Sequence, residues 1–469
     1  MNTGLFIFDT KARELKEVTA ANGFEVQIYC CGPTVYRDAH VGNLRTFLLG
    51  DLVKRILNFS GIDSNFIQNI TDVGHMAEDI VGNEIGEDKL LTQSKAEKLD
   101  PFVIARKYEA GFHADLAKLN VIPAAAYPKA SETIELMQDL ISKLITTGHA
   151  YVGEDKCVYF SAQSYPSYGE ISGNRLDSLK PGHRYEYVED GAKKFHADWA
   201  LWKAAGNRSE MIWDSPWGPG FPGWHIECSA MSLHFLQGHV DLHLGGIDLR
   251  FPHHENERAQ SNAAAGYEVV ENWVHGEHLL FEGRKMSKSA GNVVLLNDLI
   301  AKGIDPLALR LCFMENRYRS QMDLTWDSLQ AADSTLDRWR RKYSQWLGDG
   351  DIDKQFVSEF TQGSLADIQR DLDTPRALQQ LRKLEKDEYL TGATKAKCFE
   401  EVDHIYALDL IRPPKAKAEA SAEITELLEK RAAARAAKDF AQSDELRDQL
   451  TKLGISVKDS PTGQNWDWI

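Results

Sequence analysis

Runs of apolar residues with two different periods divide the N-terminal part of the chain into strands and a helix. The unbroken run at 26–31 and the segment 65–70 predict buried strands, and apolar residues with a helical period over 44–59 predict a helix between them. Strand, helix and strand in this order open a parallel α/β sheet. Because ligands bind at the carboxyl ends of such strands, the loops after Cys31 and Ile70 are the first candidates for a binding site.

A second unit of the same kind lies in the middle of the chain. Residues 240–244 predict a strand that ends in the turn Gly245-Gly246, and Pro252 predicts the first turn of a helix that runs to Ala265. The two units together predict one parallel sheet assembled from distant parts of the sequence.

The remaining segments differ in composition. Residues 102–149 have a largely helical pattern, whereas 151–222 are rich in Tyr, Trp, Gly and Pro, which indicates an inserted or connecting module. The pattern is all helical over 327–408, and the stretch 411–418, with its Pro and Lys residues, predicts a linker. A small tail domain follows, with two helices that are broken near 439–443.

Composition places the chain among soluble globular proteins. It has 469 residues, of which 43% are hydrophobic and 26% charged, and about three domains are expected at roughly 100–200 residues each. No apolar run approaches the length of about 20 residues that a membrane span needs, and Asp9 interrupts the N-terminal apolar stretch where a signal peptide would continue. We therefore expect a cytoplasmic protein.

Net charge limits the kind of nucleic-acid partner. With 54 basic and 70 acidic residues the formal charge is -16, which opposes non-specific binding of polyanions, so such a partner would need local basic patches. Local cationic surface is expected at Arg338, Arg340, Arg341, Lys342, Lys430, Arg431, Arg435 and Lys438. The terminal Trp466 and Trp468 either stack on exposed bases or pack within the tail domain.

Four residues are candidate metal ligands. The six cysteines do not form a disulfide framework, but Cys31 and Cys228 can join His253 and Glu257, which lie four residues apart on one face of the predicted helix. Two thiolates, an imidazole and a carboxylate are typical of a zinc site. The alternative is a pair of buried thiols beside a solvated polar helix face.

The neighbours of these residues are weaker candidates. Cys30 points to the opposite face of its strand from Cys31. On the helix, His254 points about 100 degrees away from His253, and Glu255 does not share the face of Glu257.

Two further motifs are suited to phosphates. His40-Val-Gly-Asn43 lies between the first strand and the first helix, where an imidazole and backbone N–H groups can face a phosphate chain. Lys285-Met-Ser-Lys-Ser289 is a small-residue loop with two lysines that can neutralise charge in a transition state. The alternatives are a polar loop that needs its glycine for helix packing and a solvated surface loop.

Taken together, the motifs closely resemble the cysteinyl-tRNA synthetases, a family of class I aminoacyl-tRNA synthetases. The matching segments are Cys31-Gly-Pro-Thr-Val-Tyr36, His40-Val-Gly-Asn43, Asn69-Ile-Thr-Asp72, Gly223-Trp-His-Ile-Glu-Cys-Ser-Ala230, Phe251-Pro-His-His-Glu-Asn-Glu257, Lys285-Met-Ser-Lys-Ser289 and the tail segments 438–447 and 454–463. The resemblance covers nearly the whole chain and reduces the alternatives above to minor ones.

The resemblance implies an α/β fold: a Rossmann-type parallel-sheet catalytic domain with a connective insertion, an α-helical bundle and a small C-terminal anticodon-binding domain. The implied boundaries are 1–125 and 216–275 for the catalytic halves, 126–215 for the insertion, 276–330 for a stem-contact-type segment with the lysine loop, 331–412 for the bundle and 413–469 for the C-terminal domain.

The resemblance also implies the reaction: L-cysteine, ATP with Mg²⁺ and tRNA(Cys) give cysteinyl-tRNA, AMP and pyrophosphate through a cysteinyl-adenylate. It implies one Zn²⁺ per chain and a monomer. The implied zinc ligands are Cys31, Cys228, His253 and Glu257; His40, Asn43, Lys285 and Lys288 bind ATP; His40 and both lysines are catalytic; and Thr71, Trp224 and Asp248 bind the substrate, Asp248 through the amino group or the adenosine ribose.

One position departs from the family pattern. The family usually has His where this chain has Asn43. An amide can donate a hydrogen bond but supplies no positive charge, so His40 and the lysines would contribute more of the triphosphate stabilisation. Two other functions share parts of the pattern: a mycothiol-type cysteine ligase, which the long tail disfavours, and a non-catalytic synthetase-like RNA-binding protein, which the intact zinc and lysine motifs disfavour.

Overall fold

The chain divides into two units in a computed structural model. The structure describes residues 1–73, 88–179, 192–286, 291–415, 421–460 and 463–468. Unit 1 is Met1–Pro413 and unit 2 is Pro414–Ile469, so the division falls within the predicted linker.

Unit 1 begins with a hairpin and the first half of a parallel sheet. Its elements up to residue 146 are β1 (Asn2–Asp9), β2 (Glu14–Thr19), β3 (Glu25–Cys30), α1 (Val41–Phe59), β4 (Asp63–Gln68), α2 (Lys89–Glu97), α3 (Pro101–Lys118) and α4 (Ile134–Thr146). The predicted order of strand, helix and strand is confirmed, and each boundary lies within three residues of the expected one. Helix α3 begins at Pro101 because Asp100 caps the N–H groups of the first turn and the proline needs no donor there.

The insertion has a sheet of its own, after which the parallel sheet resumes. The next elements are β5 (Ala150–Val152), β6 (Val158–Phe160), β7 (Trp199–Ala204), β8 (Gly220–Pro222), α5 (Trp224–Phe235), β9 (Leu242–Gly246), α6 (His253–Ala265) and β10 (Trp273–Gly276). Strands β5 to β8 form an antiparallel sheet in sequence order. Helix α6 begins one residue after Pro252, which occupies its N-cap.

The central sheet is parallel, in the order β10-β9-β3-β4. Strand β3 is almost wholly buried, as expected when both faces of a parallel sheet are covered. In the sheet, β4 lies on one side of β3, and β9 and β10, which come later in the chain, lie on its other side. The carboxyl ends of β3 and β9 are therefore the topological switch point of the sheet, where open α/β folds bind ligands.

A small sheet and a helical bundle complete unit 1. Their elements are β11 (Leu279–Phe281), β12 (Arg284–Lys285), α7 (Leu296–Ala301), α8 (Pro306–Met314), β13 (Met322–Leu324), α9 (Trp326–Trp346), α10 (Lys354–Gln369), α11 (Thr374–Lys386) and α12 (Gly392–Tyr406). The four last helices match the predicted all-helical region. The described helices include no segment with both the length and the apolar character that a membrane span requires.

Unit 2 is a helical pair followed by a hairpin. It contains α13 (Ala422–Ala436), α14 (Phe440–Lys452), β14 (Ile455–Ser460) and β15 (Gly463–Trp468), so the predicted helix break near 439–443 is confirmed at Asp439, the N-cap of α14. Trp466 packs on the small apolar core of this unit. Its core residues are Ile424, Leu428, Leu450, Ile455 and Val457.

Candidate active site

The loop after β3 places Cys31 at the switch point. The Cys31 N–H donates to the Leu244 carbonyl of β9 at 3.1 Å, and the Gly32 N–H donates to Oδ1 of Asn69, beyond β4, at 2.9 Å. A Cβ on residue 32 would lie 1.6 Å from the Asn69 carbonyl oxygen, so this close approach of two loops requires glycine.

The four predicted metal ligands meet at one point. Cys31 Sγ lies 4.0 Å from Cys228 Sγ and 3.8 Å from Glu257 Oε1, and Glu257 Oε1 lies 2.9 Å from His253 Nε2. All four donor atoms are within 4.8 Å of one another, and all four residues are buried. His253 and Glu257 lie four residues apart and therefore share one face of α6. Trp224 and Cys228 have the same spacing on α5.

The electrostatics of this cluster favour ionised ligands on α5 and α6. A hydrogen bond from Cys31 is the largest effect on Cys228 and, against burial, lowers the pKa of that thiol to about 7. Burial lowers the pKa of His253, but the charges of Glu257 and Cys228 overcome it and raise the pKa to about 10. Without a metal, the imidazole is therefore the counter-cation of two anionic neighbours.

The donor set fits a zinc ion. Two sulfur ligands of a tetrahedral zinc lie about 3.8 Å apart, close to the 4.0 Å between Cys31 and Cys228. His225 Nδ1 lies 2.8 Å from Nδ1 of His253, which leaves Nε2 of His253 to face Glu257. A partner on the second ring nitrogen of this kind orients metal-ligating histidines.

A second, overlapping set of donors lies beside the first. His243 Nε2 and His254 Nε2 lie 3.5 and 3.4 Å from Cys31 Sγ, and these histidines form a buried group with Cys31 and Glu257 that has the dimensions of a metal site. Nδ1 of His254 is held by His275 Nε2 at 2.8 Å. Cys31 and Glu257 therefore belong to two possible metal sites. The other two ligands are Cys228 and His253 in one site, and His243 and His254 in the other.

The expectation that His254 points away from the cluster is wrong. Helix α6 is buried around its first two turns, and Gly245 leaves room for the ring: a Cβ there would lie 2.4 Å from Cε1 of His254. Sequence reasoning missed His243 altogether. The available signal was a histidine in the middle of an apolar strand that ends in two glycines.

Cys30 and Glu255 face other parts of the protein, as predicted. The Cys30 thiol contacts its neighbour's carbonyl oxygen and the Gln68 amide. Glu255 accepts hydrogen bonds from the backbone N–H groups of Ile171 and Ser172 and from the Ser172 hydroxyl. Glu255 therefore anchors a loop of the insertion to α6.

His40 caps helix α1. Its Nδ1 accepts hydrogen bonds from the N–H groups of Gly42 and Asn43 at 3.1 and 3.3 Å, and Oδ1 of Asn43 accepts the His40 N–H at 3.2 Å. This reciprocal pair is a capping box, which gives Asn43 a structural function. Because Nδ1 is an acceptor, the ring proton lies on Nε2.

His40 does not supply positive charge. Burial, and next the charge of Arg37, lower the pKa of His40 to about 4. A neutral ring can contribute to triphosphate stabilisation through its Nε2–H donor, not through positive charge.

Met286 of the lysine loop and Val294, which follows the loop, pack on this helix N-terminus. A Cβ on Gly42 would lie 2.9 Å from Cε of Met286, and the Val41 N–H donates to the Val294 carbonyl at 3.0 Å. Lys285 is exposed at the end of β12. Lys288 lies outside the described residues.

The three predicted substrate residues occupy different surroundings. Thr71 is buried, and its Oγ1 accepts a hydrogen bond from Asn69 Nδ2 at 3.1 Å. Trp224 stacks on His253 with ring centroids 4.2 Å apart. Asp248 is exposed, and its side chain lies next to Gly246 at the end of β9. A Cβ on Gly246 would lie 2.3 Å from Oδ1 of Asp248.

Two of the predicted surface cations are buried. Arg340 is 1% exposed and pairs with Asp305 at 2.7 Å, and Arg431 is 0% exposed and pairs with Asp459 at 2.9 Å. These arginines were expected on the surface, and that prediction is wrong because each satisfies an acidic group inside its own unit. Arg338 and Lys342 are partly exposed but share Glu385.

Comparison with known proteins agrees with this geometry. Residues 17–334 match the family described as "tRNA synthetases class I (C) catalytic domain" and residues 417–466 match the "Cysteinyl-tRNA ligase anticodon binding domain". A cysteine–tRNA ligase of Thermus thermophilus is 39% identical, over 99% of both chains. Cysteine–tRNA ligase 1 of Burkholderia lata is also 39% identical, over 98% of this chain and 96% of its own.

The chain belongs to the cysteine–tRNA ligase family. Ligases of this family are class I aminoacyl-tRNA synthetases, and the resemblance of the motifs is thereby confirmed. The fold agrees: a methionyl-tRNA synthetase of Mycobacterium tuberculosis, at 13% identity, superposes with a TM-score of 0.57 over 82% of this chain and 92% of its own.

Proposed function

We propose that this protein activates L-cysteine with ATP to cysteinyl-adenylate and transfers the cysteinyl group to the terminal ribose of tRNA(Cys). The observation that best supports the proposal is the buried cluster of Cys31, Cys228, His253 and Glu257. Cys31 lies at the switch point of the sheet, on the loop that precedes the His40 cap of α1, and the other three ligands lie on α5 and α6. The reaction requires a site that selects the sulfur of cysteine and a site for the phosphates of ATP. The cluster is proposed as the first, and the N-terminus of α1 as the second.

Cys31, Cys228, His253 and Glu257 are proposed to hold one zinc ion per chain. Two thiolates favour this set over the one with His243 and His254, since zinc in proteins prefers sulfur ligands. When bound, the ion would act as a Lewis acid that lowers the pKa of a thiol and thus favours L-cysteine over L-serine. The chain's own contribution is to orient the four donors through buried hydrogen bonds such as that of His225 to His253.

Adenylate formation needs alignment and charge neutralisation rather than a protein nucleophile. A carboxylate oxygen of cysteine attacks the α-phosphorus in line, and pyrophosphate leaves with its Mg²⁺. We propose that His40 donates its Nε2–H to a phosphate oxygen and that the N-terminus of α1 faces the phosphates. Lys285 and Lys288 would supply the positive charge that His40 lacks, and Asn43 would act mainly by capping.

The second step transfers the acyl group. The 2'-hydroxyl of the terminal adenosine attacks the activated carbonyl, and AMP leaves with the electrons of the broken bond. Trp224 is proposed as an apolar wall for the amino acid, because it already stacks on His253, and Thr71 as a polar contact. Asp248 is exposed at the end of β9, which supports binding of the adenosine ribose.

The segments are proposed to divide the work as the sequence pattern implies. Residues 1–125 and 216–275 form the catalytic domain around the insertion 126–215; 276–330 brings the lysine loop, 331–412 forms the bundle, and 413–469 binds the anticodon. Unit 2 supports the last assignment. We also propose a monomer that acts in the cytoplasm, where the six free cysteines would stay reduced.

Two assays test the function together. Cysteine-dependent ATP–pyrophosphate exchange measures the first step, and charging of purified tRNA(Cys) measures the second. We expect both from the zinc-loaded protein. Exchange without charging would indicate a mycothiol-type ligase, and neither activity would indicate an RNA-binding protein without catalysis.

A further inference from the structure

Glu227 is a buried glutamate that precedes the metal ligand Cys228 on α5. It lies on α5 between Trp224 and Cys228 and is 0% exposed. Neither of its carboxylate oxygens has a well-formed hydrogen bond in the part of the chain that the structure describes. A buried carboxyl group has lost its hydration, so its ionised form is strongly unfavourable unless a ligand supplies the missing donor.

The neighbouring carboxylates already have donors. Asp72 accepts hydrogen bonds from the Ser131 N–H at 2.8 Å and the Ser131 hydroxyl at 2.6 Å. Glu255 is held by Ser172, and Glu257 belongs to the metal cluster. Among the described acidic groups around the cluster, Glu227 is therefore the one that a cationic ligand would complete.

Thr71 forms the other side of this position. Its hydroxyl lies beside the Glu227 carboxylate and accepts a hydrogen bond from Asn69 at 3.1 Å. Its N–H donates to the Pro33 carbonyl at 3.0 Å, so Thr71 is fixed to the loop that begins at Cys31. Thr71 is thus bonded to the loop that carries Cys31, and Glu227 precedes Cys228 on α5.

We infer that Glu227, together with Thr71, receives the α-ammonium group of the amino acid substrate. The sulfur and the amino nitrogen of cysteine are only a few bonds apart, so a substrate held by its sulfur at the cluster must place its ammonium close by. An ammonium has three donors and a full charge, which would satisfy a carboxylate oxygen and the Thr71 oxygen together. The cluster then recognises the sulfur, and Glu227 recognises the amino end; this inference rests on the proposed function.

The test uses two thiols that differ in the amino group. Binding of L-cysteine and of 3-mercaptopropionate, which lacks the amine, is measured by calorimetry on the zinc-loaded wild-type protein and on Glu227→Gln. We expect the preference for L-cysteine to fall by about 10- to 100-fold in the variant, as for loss of a charge-assisted hydrogen bond. The dissociation constant of 3-mercaptopropionate and the zinc content should stay within about twofold.

Glu255→Gln is the matched control, because Glu255 is an equally buried glutamate with donors of its own. It should keep the wild-type preference. If Glu227→Gln does not fold, Thr71→Val, which removes only the hydroxyl, should reduce the same preference, whereas Thr71→Ser should restore it.

A wild-type preference in a folded Glu227→Gln or Thr71→Val protein would overturn the inference, as would equal weakening of both thiols. The cysteine-dependent exchange assay on the wild-type protein distinguishes failure of this inference from failure of the proposed function. With cysteine-dependent exchange present, an unchanged preference rejects only the role of Glu227; without exchange, both are rejected.

Discussion

Met286 packs against the bare backbone of Gly42, although the two residues belong to distant motifs. A Cβ on Gly42 would lie 2.9 Å from Cε of Met286 and 3.0 Å from the His40 ring. The absence of a side chain at residue 42 therefore lets Met286 of the lysine loop approach the N-terminus of α1. This contact brings together the two motifs that are proposed to bind the phosphates.

Gly42→Ala should therefore impair catalysis more than folding. Alanine favours a helix over glycine by about 1 kcal/mol, while crowding against a packed side chain costs about 1–3 kcal/mol. We expect the rate of ATP–pyrophosphate exchange to fall about tenfold, with the midpoint of thermal unfolding within a few degrees. Met286→Ala in the same chain should restore part of the rate. A Gly42→Ala protein with wild-type exchange would show that the approach is not needed.

His40→Asn separates the cap from the hydrogen-bond donor. Asparagine is a good N-cap, so thermal stability near pH 7.5 should change little. The Nε2–H donor is lost, and removal of one such donor from a transition state typically costs about 100-fold in rate. We expect a loss of that size in pyrophosphate exchange. A variant that exchanges at the wild-type rate would show that His40 acts only as a cap.

The same pair of proteins should differ in the pH dependence of stability. The pKa of His40 is lowered to about 4, whereas an unfolded histidine titrates near about 6.5. The neutral ring therefore contributes its full stability above the unfolded pKa, and this contribution is lost as the pH falls toward 4. Urea unfolding should show the wild type losing free energy of unfolding relative to His40→Asn over that range, because asparagine does not titrate. NMR titration of His40 with a midpoint near 6.5 would contradict this.

Arg431 should stabilise unit 2 rather than bind RNA. Its guanidinium is buried and bonds Asp459 and Gln464, while the partly exposed Arg435 also pairs with Asp459. Arg431→Ala should destabilise the unit by about 2 kcal/mol, the value of a hydrogen-bonded charge, and Arg435→Ala by less than about 1 kcal/mol.

Hydrogen exchange of β14 in the full chain measures this difference. Protection of 455–460 should fall in Arg431→Ala and change little in Arg435→Ala. Equal protection of 455–460 in the two variants would show that Arg431 stabilises unit 2 no more than the partly exposed Arg435 does.

The sequence predicted the fold and the meeting point of Cys31, Cys228, His253 and Glu257. It could do so because short apolar runs indicate which residues lie at the ends of buried strands, and a helical period indicates which residues share one helix face. It could not predict that His254 also reaches the cluster. A helix considered alone has one inward face, but α6 is buried around its first turns, and only the missing Cβ of Gly245 makes room for the second ring.

Burial of charge was also beyond the sequence pattern. Arg340 and Arg431 lie in basic stretches that resemble solvated helix faces, and only the tertiary partners Asp305 and Asp459 show that they are internal. The charge of His40 is a similar case, because its pKa follows from burial and a nearby arginine rather than from the motif.

The most direct test of the account is zinc content measured together with amino acid selectivity. Cys228→Ala and His243→Ala each remove one donor, and they belong to the two different ligand pairs beside Cys31. Atomic absorption and cysteine- or serine-dependent pyrophosphate exchange are measured on both and on the wild type. We predict that Cys228→Ala loses zinc and the preference for cysteine together, whereas His243→Ala keeps its zinc. Stoichiometric zinc and full cysteine activation in Cys228→Ala would contradict the account.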